Sequence, residues 1–247
     1  MPRFFVTPNQ VKDDEIEITG QDVRHIKDVL RLGPDSEITI CDGEGNDYES
    51  VITQVGAESI LARITEKTIS SSEPETRLTL FQSLIKGDKF EWVIQKAIEI
   101  GAYEIVPMET THCVVKMEKA KKTNAKVARW NKIAQSAAKQ SGRGVIPKIL
   151  EPVSYAQALK LCGKMDLACM AYEKEDTVNL RSCLQEAKPN TIGILVGPEG
   201  GFSPREVVQA QEANIQSITL GPRILRSETA SIVMVSNSLY ELGEMDL

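Results

Sequence analysis

The strongest constraint on this chain is a change of rhythm near Thr76: short β-prone segments precede it, and strand-like and helix-like segments alternate from there to the end. RLTLFQSLI reads as a buried strand, and DKFEWVIQKAIEIG as an amphipathic helix with Phe90, Val93, Ile94, Ala97 and Ile98 at helical spacing. EIVPM comes next as a strand, then a long helix containing RWNKIAQSAAKQ, the strand VIPKIL, the helix YAQALKL, the strand MDLACMAY and the helix VNLRSCLQEA. TIGILVG, PREVVQAQEA, SITLG and ETASIVMVSNSLYEL complete the series. Parallel strands need crossover helices, so the alternation predicts a largely parallel sheet covered by helices.

Residues before that point predict something else. EITICDG, YESVITQV and ILARITEKTI read as short strands, with Asp42-Gly43-Glu44-Gly45-Asn46 as a hairpin turn. One helix interrupts them: QDVRHIKDVLRL places Val23, Ile26, Val29 and Leu30 on one face, and Gly33-Pro34-Asp35 stops it. A small β-barrel is the expected result. Ser70-Ser71-Ser72-Glu73-Pro74-Glu75 reads as a linker, which predicts two domains, residues 1–72 and 73–247.

Composition narrows the function classes. Hydrophobic residues make up 41% and charged residues 26% of the 247, ordinary globular usage that leaves no need for a disordered or fibrous reading. No apolar run approaches the ~20 residues of a membrane span, and the opening MPRFFVTPNQ lacks a secretory layout. A cytoplasmic protein with no membrane association is expected. Cys41, Cys113, Cys162, Cys169 and Cys183 form no C-x-x-C pair, and His25 and His112 are the only histidines. Neither a disulfide framework nor a metal site is expected from that set.

The net charge of -6 argues against a nucleic-acid partner, but its distribution argues for one. From Lys116 to Lys148 ten basic residues (Lys116, Lys119, Lys121, Lys122, Lys126, Arg129, Lys132, Lys139, Arg143 and Lys148) face Glu118 alone, so the tract carries +9 and the remainder -15. Such a run is either a solvated helix face or a footprint for phosphates.

Two places break local rules. TIGILVG runs into Gly197-Pro198-Glu199-Gly200-Gly201, and SITLG into Gly221-Pro222-Arg223-Ile224-Leu225-Arg226. Ligands of open α/β sheets bind at the carboxyl ends of strands, where glycine lets backbone approach them. Ordinary tight turns are the alternative. Neither a P-loop nor G-x-G-x-x-G occurs, and Glu199 would repel a pyrophosphate. A cationic or neutral ligand such as S-adenosylmethionine suits these turns better.

LVGPEGGFSPRE (Leu195 to Glu206) and LGPRILRSETA (Leu220 to Ala230) closely resemble the two signature segments of the bacterial 16S ribosomal RNA uridine-N3 methyltransferases. KGDKFEWVIQKAIEIG, RWNKIAQSAAKQSGR and HIKDVLRLGPDSEITICDGEGNDY resemble further segments of that family, in the same order along nearly the whole chain. The resemblance implies a PUA-like β-barrel followed by a SPOUT-type α/β methyltransferase domain, a parallel sheet whose carboxyl-terminal part is tied in a trefoil knot. It also implies a homodimer, S-adenosylmethionine as cofactor, and 16S ribosomal RNA within the small subunit as substrate. By the same likeness Leu195, Gly197, Glu199, Gly200, Gly201, Leu220, Gly221, Ile224, Leu225 and Arg226 surround the cofactor, joined by Tyr172 from a third loop.

The family's chemistry moves a methyl group to N3 of uracil by direct displacement, so a protonated nitrogen must lose its proton as it attacks. Arg226 is the candidate to hold the uracil carbonyls or stabilise developing charge, and Glu199 to act as base or orient the cofactor. The alternative is that the two simply pair and fix the loops. N3 lies on the Watson-Crick edge, so the target must be unpaired and the surrounding RNA must supply specificity. Arg24, Lys27 and Arg31 recur at helical spacing, with Arg3 and His25 close by. Lys86 and Arg143, which begin and end two of the family-like segments, join them as expected RNA contacts. Two rival readings remain open: a knotted methyltransferase acting on transfer RNA or a ribose hydroxyl, and a non-enzymatic ribosome-assembly factor.

Overall fold

The computed structural model describes residues 1–117 and 120–246, so Glu118 and Lys119 of the basic tract lie outside the described residues. The chain divides into two compact units, Met1–Glu73 with Ala138–Ile146, and Pro74–Ala137 with Pro147–Leu247.

In the first unit the strands are β1 (Arg3–Phe5), β2 (Val11–Lys12), β3 (Glu15–Thr19), β4 (Glu37–Cys41), β5 (Asn46–Val55) and β6 (Ser59–Ile69). They form a curled half-barrel in the order β1-β4-β5-β6-β3-β2, with β1 parallel to β4 and every other pairing antiparallel. Side chains alternate across a strand. Ile16 and Ile18, Ile38 and Ile40 accordingly point inward and close a core with Ile52, Ile60 and Phe4.

Helix α1 (Gln21–Arg24) departs from the expected regular pattern, because it continues as a π-helical turn over His25–Val29. The Leu30 amide donates to the His25 carbonyl five residues back at 2.9 Å. A wider turn rotates the residues after it, and π-turns of this kind concentrate at functional sites. Val23 and Ile26 stay in the core, whereas Val29 (65% exposed) and Leu30 (38%) turn to solvent beside exposed Arg24, Lys27 and Arg31. The apolar stripe expected from the sequence is therefore two residues, not four.

Residues 138–146, expected in the second domain, pack in the first unit. Glu73 gathers them: it accepts from the Arg143 guanidinium at 2.6 Å and from the amides of Gly144 (2.9 Å) and Val145 (3.1 Å). The Arg143 side chain is 4% exposed, so it is a structural clasp and not the RNA contact expected of it. Gly144 passes so close to Ser70 that a Cβ there would lie 2.3 Å from its side chain. Removing one partner of a buried ion pair leaves an uncompensated charge. Glu73→Ala is expected to cost about 3–5 kcal/mol, read as a lowered denaturant midpoint of the first unit.

The second unit alternates as its sequence predicts. Its strands are β7 (Arg77–Ser83), β8 (Glu104–Glu109), β9 (Lys148–Ile149), β10 (Val153–Ser154), β11 (Leu167–Ala171), β12 (Thr191–Val196) and β13 (Gln216–Ile218). Between them lie α2 (Lys89–Ile100), α3 (Ala120–Ser141), α4 (Tyr155–Cys162), α5 (Leu180–Ala187), α6 (Pro204–Glu212) and finally α7 (Ser227–Glu241). The sheet is parallel throughout, in the order β10-β8-β7-β12-β11-β13, with β9 also on β8. Helices α4 and α6 cover the face that carries Phe81, Met170 and Leu195. Leu78 and Leu80 alternate with Phe81 and are fully buried on the other face, where α7 packs on β7, β12 and α2. VIPKIL supplies only the two residues of β9. Among the described residues no helix is long and apolar enough to cross a membrane.

Candidate functional site

Parallel strands bring their carboxyl ends to one edge, and the loops after β11, β12 and β13 meet there around a cleft of about 890 Å³. The loop after β12 is the Gly197–Gly201 turn, closed by the Gly201 amide donating to the Pro198 carbonyl at 2.9 Å. Gly201 has φ +65°, and a Cβ there would sit 3.0 Å from a Glu173 carboxylate oxygen. Gly221, in the loop after β13, has φ +96° with nothing within 4 Å of where its Cβ would stand. Both positions need glycine for the backbone itself, and the second keeps space open.

The cleft is electrically two-sided. The loop after β11 brings Glu173, Glu175 and Asp176, and the loop leading to α7 brings Arg223 and Arg226. Hydrogen bonds from the Thr177 hydroxyl and amide hold the Glu175 carboxyl below its ordinary pKa, which keeps it ionised. Arg226 is the N-cap of α7, so its charge adds to the positive end of that helix. Lys89, also on the wall, pairs with Glu228 at 2.9 Å.

A buried polar network fixes these loops. Gln82, fully buried near the end of central strand β7, donates to Ser227 Oγ at 3.1 Å and accepts from the Ser231 hydroxyl. Ser227 in turn donates to the Gly197 carbonyl at 2.5 Å. One glutamine thus ties the central strand, the glycine turn and the start of α7 together. His112 Nδ1 lies 3.0 and 3.1 Å from the carbonyl oxygens of Gly200 and Gly201. Its own loop is held by Glu206, which accepts from the Thr111 amide at 2.8 Å and closes the capping box of α6 with Ser203. Burial raises the Glu206 carboxyl, but the amides of Thr111 and Ser203 outweigh it and hold its pKa low.

Of the residues expected around a cofactor, Tyr172, Gly197, Glu199, Gly200, Gly201, Leu220, Gly221, Ile224, Leu225 and Arg226 all line the cleft. Leu195 does not: it is fully buried among Phe81, Met170 and α6, and strand alternation hands its place to Val196. Arg226 and Glu199 are not joined by an ion pair among the described residues. Instead the Lys86 amide donates to Glu199 Oε1 at 3.2 Å, so the pairing that would have made both residues merely structural is absent from this arrangement. Arg24, His25, Lys27, Arg31 and Lys86 are exposed, whereas Arg3 is bound to Asp47 at 2.5 Å and to Ser70 at 3.0 Å.

Sequence reasoning missed Gln82, His112 and the acidic loop. Two of these left a signal. Gln82 is the one amide in RLTLFQSLI, a segment read as a buried strand, where burial is costly without partners. The run Glu173-Lys174-Glu175-Asp176 directly follows a buried strand.

Residues 71–238 match the profile of an RNA methyltransferase domain, and residues 18–65 that of an RNA methyltransferase PUA domain. The chain is 33% identical to ribosomal RNA small subunit methyltransferase E of Bacillus subtilis over 98% of its own length and 97% of the relative's. Identity to the protein of that name from Mesomycoplasma hyopneumoniae is 35%, covering 98% of this chain and 100% of the other. A crystal structure of a ribosomal RNA small subunit methyltransferase E from Neisseria gonorrhoeae bound to S-adenosyl methionine superposes with a TM-score of 0.82 at 32% identity, covering 97% of each chain. With its sheet, its cleft and both family profiles in agreement, the chain belongs to the RNA methyltransferase family that includes the ribosomal RNA small subunit methyltransferases E.

Proposed function

We propose that this protein transfers a methyl group from S-adenosylmethionine to N3 of a uridine in 16S ribosomal RNA of the small subunit, working in the cytoplasm as a homodimer. The observation that carries the reading is the cleft: two glycine turns at positive φ, three carboxylates from one loop and two arginines from another, at the carboxyl edge of a parallel sheet. Such a site suits a nucleoside bearing positive charge and would repel a pyrophosphate. The residues fit the cofactor, with Gly197, Gly201 and Gly221 offering backbone to the adenosine and Glu173, Glu175 and Asp176 offering negative charge to its cationic part. When bound, that cofactor supplies an activated methyl group.

The remaining work falls to the protein. Glu199 is exposed and anchored by one oxygen to the Lys86 amide; it takes the N3 proton as the nitrogen gains the methyl group. Arg226 and the amino end of α7 face the negative charge that builds on the uracil carbonyls as the N3 proton leaves and that disappears once the methyl group is bonded, and fixed charges of this kind need no reorganisation during reaction. Gln82, Ser227 and His112 hold the loops in register, which matters because positioning alone can contribute ~7–11 kcal/mol to barrier reduction. Arg24, His25, Lys27 and Arg31, within and beside the π-helical turn, together with Lys86, meet the surrounding RNA.

The knot is implied by the family likeness and supported by connectivity. The chain leaves edge strand β13 yet returns α7 to central strands β7 and β12, and Ser227 at the head of α7 binds the carbonyl of the Gly197 turn. For the dimer, α7 leaves Ile232 and Val233 half-exposed and Tyr240 67% exposed. Light scattering at micromolar concentration is expected to give twice the chain mass, and a monomer would refute the dimer.

The functional test offers radiolabelled S-adenosylmethionine to small subunits lacking the modification. Saturating incorporation near one methyl group per subunit is expected, falling as salt rises because phosphate contacts release counterions. Tight subunit binding with no incorporation would instead support the non-enzymatic assembly factor.

A further inference from the structure

A second cleft, of about 210 Å³, lies in the second unit where the loop between β7 and α2 meets α3. It is smaller than the ~300–1,000 Å³ of sites for drug-sized ligands, which leaves room for about one flat ring system. Its floor is apolar and aromatic: Phe90, Trp130 and Pro152 line it, with the two rings 4.6 Å apart and both nearly buried. Its rim is basic, formed by Lys116, Lys126 and Arg129.

We propose that this cleft is a nucleotide subsite, taking the base of an unpaired nucleotide that flanks the methylated uridine. The proposal rests on the RNA-methyltransferase reading and adds to it a place where RNA outside the target is held. Three observations carry it. First, Leu84, Ile85 and Gly87 line this cleft, while the amide of Lys86 between them binds Glu199 of the cofactor cleft. The two sites are therefore opposite sides of one short loop, the arrangement needed by neighbouring nucleotides of one strand. Second, an aromatic floor under a cationic rim matches how single strands are bound, with bases stacked and phosphates held by lysine and arginine. A phosphate alone would have no use for the floor. Third, the rim cations Arg129 and Lys116 are held by surface partners. Arg129 pairs with Glu91 at 2.7 Å and Lys116 with Glu109 at 3.3 Å, with the basic side chains 66% and 55% exposed. Exposed pairs are weak and exchange readily. An arriving phosphate can replace those carboxylates with the planar fork of Arg129 already in place.

This gives the first half of the basic tract a specific role. Lys122, Lys126 and Arg129 succeed one another at spacings of four and three along α3, which aligns them on one helix face.

The test uses the full chain carrying Trp92→Phe, which leaves Trp130 as its sole tryptophan. Titration with a short single-stranded oligouridylate should quench Trp130 emission saturably. Thr123→Phe, placed in the cleft wall, should abolish the quenching and raise KM for small subunits about tenfold, the worth of one stacked base. Its kcat and cofactor affinity should stay unchanged. Lys126→Glu with Arg129→Glu should act in the same direction and reduce the salt dependence of KM. Trp130 emission that ignores an oligouridylate shown by anisotropy to bind would overturn the subsite, as would an unchanged KM in Thr123→Phe. Equal quenching by inorganic phosphate would also overturn it, in favour of a plain anion site. Saturable quenching by oligouridylate in a protein that methylates no subunits would remove the functional reading and leave the subsite standing.

Discussion

Gly201→Val and Gly221→Val should each abolish measurable S-adenosylmethionine binding while leaving a folded protein. At φ +65° and +96° a β-branched residue is forced into a backbone region that costs ~1–3 kcal/mol even for tolerant residues. The chain relieves that strain by moving the loop, because the strand residues beneath it, Ile192, Ile194 and Leu195, are fully buried and cannot give way. At Gly201 the new side chain also meets Glu173. At Gly221 it enters open space that the ligand would need. A loss of roughly 10²-fold or more is expected if strain and obstruction add, at ~1.4 kcal/mol per tenfold. Calorimetry on both variants, with circular dichroism as the check on folding, decides the matter. Wild-type affinity in both would remove these turns from the cofactor site.

Arg226→Ala should lower kcat for methyl transfer by about 10²–10³-fold, the usual worth of one preorganised group facing developing charge. Cofactor affinity should change far less. The separation is informative because Arg226 lines the cleft and also stands at the N-cap position of α7, where the loop enters the helix, so a purely structural role would damage both quantities together. Arg226→Lys should recover little, since a point charge cannot reproduce a planar fork. Parallel losses in kcat and cofactor binding would reassign Arg226 to holding the loop.

Much of the second unit was legible in the sequence because its signals are local. Hydrophobic period and glycine and proline at strand ends each lie within a few residues. Those signals placed the alternating elements and the two glycine turns. What the sequence hid depends on partners far away in the chain. Arg143 reads as one more cation in a basic tract, but its partner Glu73 is 70 residues distant. Lys139, likewise in the tract, pairs with Asp22 at 2.9 Å.

The same distance effect moved residues 138–146 into the first unit, so a chain cut at Thr76 would strip them of Glu73 and Ser70. The π-helical turn was hidden for another reason. Nothing in HIKDV distinguishes a five-residue turn from a regular one, and the exposure of Val29 and Leu30 is visible only in three dimensions. Leu195, placed near the cofactor by family likeness alone, has its side chain in the core, and its neighbour Val196 is the one on the cleft wall.

The identity of the methylated nucleoside tests the central claim most directly. Small subunits lacking the modification are incubated with the protein and S-adenosylmethionine, and their RNA is digested to nucleosides and analysed by mass spectrometry against standards. The account predicts N3-methyluridine as the single new nucleoside, formed far more slowly when Arg226→Ala or Gly201→Val protein is used. A methyl group on a ribose hydroxyl, on uracil C5 or on another base, or no methylated nucleoside at all, would contradict it.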